Sequence, residues 1–142
     1  MESGFLHWGH DISTEENQYE AGLNFAISFK KEINFIGKES LLKIKDNKQN
    51  RRFIMLSLKD SKPGTPLLLH EEPIYLGDKI VGRTTSGNYS FNYKKNISFG
   101  FVSSAYTNEE LSKMDLYIEV AKQKYQVLVE TKPLKDKLAR LL

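Results

Sequence analysis

The sequence predicts a mainly β fold, α+β overall, in which residues 51–131 form a compact antiparallel domain. Three observations carry that expectation. After Arg51 come five or six short apolar runs, most of them alternating with period two, the period at which a pleated strand turns successive side chains to opposite faces. Turn-forming residues separate them, as in Lys62-Pro63-Gly64-Thr65-Pro66, where the backbone is biased away from strand continuation. The runs recur every roughly 8–20 residues, a spacing that suits a small barrel or sandwich because closure hides sheet edges.

In chain order, Ser13 or Thr14 can cap a short acid-led helical turn, followed by Glu15 and Glu16. Leu23, Phe25, Ile27 and Phe29 alternate and predict a strand over 23–29. Gly37 precedes Lys38-Glu39-Ser40-Leu41-Leu42-Lys43-Ile44-Lys45, a run of good helix formers. Asp46-Asn47-Lys48-Gln49-Asn50 is polar and reads as a linker. Phe53 to Leu58 is nearly all apolar and predicts a strand covered on both faces. Ile74-Tyr75-Leu76 and Ile80-Val81 flank Gly77-Asp78-Lys79, a hairpin signal. Ile97, Phe99 and Phe101 predict the next strand; Leu116, Ile118 and Val120, then Tyr125, Val127 and Val129, predict a final pair turning at Lys122-Gln123. Leu134, Leu138, Leu141 and Leu142 share one helical face, so 134–142 reads as a tail that is helical and docks on the rest.

Composition narrows the chemistry. The 142 residues include no cysteine, which removes disulfides, thiol nucleophiles and thiolate metal sites. No apolar run approaches the ~18–20 residues that span a bilayer, and Met1-Glu2-Ser3-Gly4 lacks the start of a secretory signal. A cytoplasmic protein without membrane contact is expected. Residues 1–50 hold six lysines and eight acids, a net of −2, whereas residues 51–142 hold 15 basic and 10 acidic groups, a net of +5. That half mildly favours anionic partners, but Lys94-Lys95 is too small a footprint for nucleic acid, and none is expected as a partner.

Few residues offer reactive chemistry. His7 and His10 match a metal pair in spacing but lack a third ligand, so no metal is expected. Asp11, Glu15, Glu16 and Glu20 include potential acid–base groups that serve equally as helix-terminal acids. Thr84-Thr85-Ser86-Gly87-Asn88-Tyr89 reads as a small, polar, flexible loop, either ordinary or presenting backbone N–H groups to an anion. No base can be placed beside its hydroxyls, so no nucleophile is assigned.

Several segments, in order, carry a resemblance. They are Gly4-Phe5-Leu6-His7-Trp8-Gly9-His10-Asp11, Tyr19-Glu20-Ala21-Gly22-Leu23, Phe35-Ile36-Gly37-Lys38-Glu39-Ser40-Leu41 and Arg51-Arg52-Phe53. Val81-Gly82-Arg83-Thr84-Thr85-Ser86-Gly87, Lys95-Asn96-Ile97 and Lys132-Pro133-Leu134 follow. Over about 130 residues the chain resembles the C-terminal part of the folate-dependent aminomethyltransferase family, which includes the glycine cleavage T-protein. The His-Trp-Gly-His-Asp stretch favours the branch fused to flavin domains, the dimethylglycine and sarcosine dehydrogenases, over the T-protein, which usually has tyrosine before that glycine.

The resemblance implies that residues 1–50 finish the central, folate-binding domain, that 51–133 form a small Greek-key or jellyroll-type β-barrel, and that 134–142 are a tail. It implies a channel enclosed by three domains, where tetrahydrofolate accepts a one-carbon unit from a glycine-, dimethylglycine- or sarcosine-type amine. The family's catalytic aspartate, and the glutamate and arginine that hold the pterin, lie upstream of the motif at Gly4–Asp11. No catalytic residue is therefore expected here, and the chain should be inactive alone and bind no FAD. Phe5 and Trp8 align with aromatics near the folate channel, as its walls or as core aromatics of the central domain; Thr85, Ser86 and Gly87 are further candidates to face it. The expected partner is an upstream segment or subunit of the same enzyme, or a second copy of the chain. A different reading is a non-catalytic β-barrel that binds a protein.

Overall fold

The computed structural model describes residues 1–60 and 62–134. Strands β1 (Arg51–Leu58), β2 (Pro73–Leu76), β3 (Lys79–Ser90), β4 (Lys95–Ser103), β5 (Leu116–Val120) and β6 (Gln123–Glu130) close into a barrel in the order β1-β4-β3-β2-β5-β6. Every pairing is antiparallel, and β6 returns to β1 through Met55↔Glu130 to Leu58↔Val127. β2, β3 and β4 form a meander, with β1 beside β4 and β5 beside β2. These are two overlapping Greek keys. The expected mainly β barrel is the observed fold, and it closes through the pairing of β1 with β6.

The two tight hairpins follow from backbone chemistry. Leu76 pairs with Lys79 across Gly77-Asp78, with Gly77 at φ 61°, where an L side chain would crowd its own carbonyl. Val120 pairs with Gln123 across Ala121 (φ 50°) and Lys122 (φ 64°). Positive φ at both central residues marks a type I′ turn, here built without glycine. A short helix, α2 (Asn108–Leu111), was not foreseen. Its signal is the spacing Thr107-x-x-Glu110, since Thr107 and Glu110 cap each other reciprocally.

Alternation along β1 divides two cores. Ile54, Leu56 and Leu58 point into the barrel and meet Ile74, Ile118 and Val127. Leu68 of the β1–β2 connection and Leu111 of α2 also join that interior. Met55 points outward and packs with Ile97, Phe99 and Leu134 under Met1 and Phe53. β4 is thus covered on both faces, with its bulky residues outside the barrel. Gly100 points inward, where a Cβ would lie 3.1 Å from Ile74.

Three expectations change. Residues 23–29 form no strand; a single 3-10 turn covers Asn24–Ala26. Their alternation is real, but no described strand lies beside them, and an unpaired strand leaves its amide and carbonyl groups without partners. Thr84–Tyr89 is not a loop, because β3 runs unbroken through it, with a register shift between Thr84 and Ser86. Ser13 caps a turn that does not continue as a helix: its amide and hydroxyl both donate to Glu16 Oε2 at 2.7 Å. The helix foreseen at Lys38 is present as α1 (Lys38–Ile44). The tail expected over 134–142 lies, beyond Leu134, outside the described residues.

Candidate functional site

The surface of interest lies where residues 1–23 cross the outer face of the barrel. Three contacts hold the crossing. At the N-terminus, the Ser90 hydroxyl and Asn92 Nδ2 donate to the Glu2 carboxylate, and these bonds, the Ser90 one first, hold Glu2 below the usual carboxylate range. In the middle, Asp11 Oδ1 accepts from the Thr85 hydroxyl at 2.6 Å, while Oδ2 accepts from the His7 amide at 2.8 Å. Asp11 and Thr85 are only 2% and 7% exposed. Thr85 reaches Asp11 because it is the extra residue of the β3 bulge, between Thr84↔Gly100 and Ser86↔Phe99; such a bulge re-aims one side chain out of the ladder.

The third contact centres on Arg51. Its guanidinium meets Glu16 at 3.0 Å and Glu20 at 3.4 Å and lies 5.4 Å over the Phe101 ring. The Phe53 amide also donates to the Glu20 carbonyl at 2.8 Å. Burial pushes the Glu16 carboxyl up, but the Ser13 bonds and the Arg51 charge together outweigh it, and Glu16 sits below its ordinary value.

These contacts present a turn and two cavities. The His7–Asp11 turn carries Trp8 at its tip, 65% exposed, and His7 and His10 meet through their Nδ1 atoms at 3.1 Å. Among the described residues no group of three or more His, Cys, Asp or Glu side chains could hold a metal ion. Phe5, 80% exposed, lines a largely apolar cavity of about 550 Å³ with Phe25, Phe53, Phe99 and Pro133. A polar cavity of about 540 Å³ opens between Asn47–Gln49 and Arg51–Arg52.

The candidates therefore divide. Phe5 and Trp8 are exposed aromatics on the N-terminal crossing. Thr85 is buried on Asp11, the Ser86 carbonyl accepts from the Ser98 hydroxyl, and Gly87 lies under the β1–β2 connection, where a Cβ would stand 2.3 Å from the Leu68 carbonyl oxygen. Sequence reasoning treated Asp11 as an acid–base or capping residue and missed its contact with Thr85. Nothing local signals a bond between residues 74 positions apart.

Residues 51–136 match the family model described as the glycine cleavage T-protein C-terminal barrel domain. The chain belongs to this family. An aminomethyltransferase of Listeria monocytogenes is 37% identical over 107 residues, covering 75% of this chain and 28% of that protein. The 4-methylaminobutanoate oxidase (formaldehyde-forming) of Paenarthrobacter nicotinovorans is 41% identical over 88 residues, 62% of this chain and 10% of that protein. The mitochondrial dimethylglycine dehydrogenase of Homo sapiens is 34% identical over 122 residues, 84% of this chain and 13% of that protein. In structure, the crystallised glycine cleavage system aminomethyltransferase T from Bartonella henselae has the same fold at TM-score 0.79 and 18% identity, over 94% of this chain and 36% of that one. The chain spans between a tenth and three tenths of the length of these curated relatives. The glycine cleavage T-protein barrel is thus present with a preceding segment that the structural match also covers.

Proposed function

We propose that this chain is the C-terminal portion of a folate-dependent aminomethyltransferase-like enzyme, working where its barrel and the preceding segment close a tetrahydrofolate channel. Residues 1–50 are, in this reading, the end of the folate-binding central domain, and 51–133 the barrel that supports it. The reaction is one-carbon transfer to tetrahydrofolate from a glycine-, dimethylglycine- or sarcosine-type amine, in the cytoplasm. The observation that carries the reading is the surface of residues 24–36. Phe25, Ile33 and Ile36 are 83%, 81% and 103% exposed, an apolar display that marks an interface rather than a finished surface. Its partner in this reading is the upstream part of the same enzyme.

The residues fit one part of a folate site. A flat pterin is held between apolar and aromatic walls with a few polar groups at its edge. Phe5 supplies an exposed aromatic face at an apolar cavity, and Trp8 a second exposed aromatic at the tip of the neighbouring turn. Thr85 supports Trp8 by fixing the turn that carries it, and Ser86 and Gly87 continue β3 beyond that contact. Tetrahydrofolate supplies the nitrogen that accepts the one-carbon unit. The carboxylate that handles protons, and the groups that pair with the pterin edge, come from the partner, so the chain by itself is inactive.

Trp8 is the sole tryptophan and makes the test direct. Mixed with a separately produced upstream segment of a related aminomethyltransferase, the chain should show a blue shift of Trp8 emission and saturable tetrahydrofolate binding by calorimetry. Docking without folate binding would favour the protein-interaction reading. Folate-dependent transfer by the chain alone would overturn the proposed division of labour.

A further inference from the structure

The polar cavity beside the Arg51–Arg52 pair adjoins the apolar one, sharing Gly22, Phe53 and Asn108 with it, but neither Phe5 nor Trp8 lines it. We infer that it is a binding site for a small oxyanion, a carboxylate or phosphate group on a soluble metabolite, held by Arg52. The cavity holds about 540 Å³, within the range of small-ligand sites. Lys48, Arg51 and Arg52 line it with the amides of Asn47 and Gln49, and Glu20 is its one acid. Glu20 is already held by Arg51 at 3.4 Å, so the charge left facing the cavity is positive.

Arg52 supplies the specific observation. Strand alternation puts it on the face of β1 that points into the barrel, at the mouth beside α2, where Nη1 donates to Asn108 Oδ1 at 3.4 Å. Its Nε is buried and has no hydrogen-bond partner among the described residues. Buried donors are nearly always satisfied, and a guanidinium cannot shed its proton to avoid the cost. With Nη1 turned to Asn108, the opposite edge of the fork, Nε and Nη2, is the one left to grip two oxygens of a carboxylate or phosphate, once a small side-chain movement opens the buried Nε to the cavity that Arg52 lines. Lys48, exposed at the rim, would meet the same anion as a point charge.

The test follows the Arg52 Nε–Hε resonance by NMR during separate titrations of the full chain with malonate and with inorganic phosphate. Saturable movement with either probe supports the site, and the probe that saturates at lower concentration identifies the class of ligand. Arg52→Lys, which keeps the charge but loses the fork, should abolish the saturable response read at neighbouring backbone amides. Lys48→Gln, a surface change, should weaken binding by about two- to fivefold. A response that only drifts linearly with ionic strength, or that survives both substitutions unchanged, would overturn the inference.

Discussion

Thr85 and Asp11 sit 74 residues apart and share a 2.6 Å hydrogen bond with both side chains buried. The bond joins the β3 bulge to the turn that carries Trp8, so one hydroxyl couples the register of the barrel to the placement of an exposed aromatic.

Thr85→Val keeps the shape and removes the donor. Asp11 then keeps the His7 amide but loses one charged bond in a buried place, which should cost about 1–3 kcal/mol. Thr85→Ser should recover most of it. Urea unfolding gives the comparison; equal midpoints for the valine variant and the parent would mean the bond adds nothing.

Gly87→Ala places a methyl 2.3 Å from the Leu68 carbonyl oxygen. Backbone lies on both sides, so one must move, and Leu68 is wholly buried in the barrel core. A loss of about 1–3 kcal/mol is expected. Ser86→Ala, on the neighbouring half-buried residue whose carbonyl rather than side chain is used, should change stability by less than ~0.5 kcal/mol.

Acid should loosen the N-terminal crossing before the barrel. Glu2 and Glu16 are both lowered from 4.5 in the folded chain. A carboxyl whose folded pKa lies below its unfolded one binds fewer protons when folded. Its contribution is therefore complete above the unfolded value and disappears as pH falls through the folded one. Hydrogen-exchange protection factors at residues 1–20, which divide out the intrinsic pH dependence of exchange, should fall below about pH 4.5 while β1 and β4 stay protected. In Glu16→Gln, stability should vary less with pH across that interval.

The β5–β6 turn can be improved. Ala121 and Lys122 both hold positive φ, and each L residue there costs roughly 1 kcal/mol. Ala121→Asn with Lys122→Gly gives the turn its preferred pair and should raise stability by about 1 kcal/mol. Thermal unfolding at neutral pH measures it; an unchanged or lower midpoint would contradict the assignment of strain to this turn.

How the barrel could be read in advance is clear from β1, a nearly continuous apolar run, and β6, where apolar residues alternate with period two; run, period and turn residues are local properties of the chain. Helix α1 was legible for the same reason. Residues 23–29 were misread because alternation is necessary for a strand but does not supply the neighbour that completes its hydrogen bonds. The stretch Thr84–Tyr89 was misread the opposite way. Small polar residues look like a loop until β4 pairs with them and the β1–β2 connection crosses over Gly87. Of the candidate site, Phe5 and Trp8 were visible as residues, but not the contact that positions them.

By itself the amino-acid order determined the mainly β class, the main strand runs, the two tight hairpins and the absence of thiol chemistry. These rest on side-chain period, turn preference and residue type, which act over a few positions. Only the tertiary structure decided which face of β4 lies outside the barrel, that Thr85 clasps Asp11, and that Arg52 keeps a buried donor beside a polar cavity. Each of these depends on groups brought together by barrel closure, and distance in space between residues far apart in sequence is set by the packing of the whole chain.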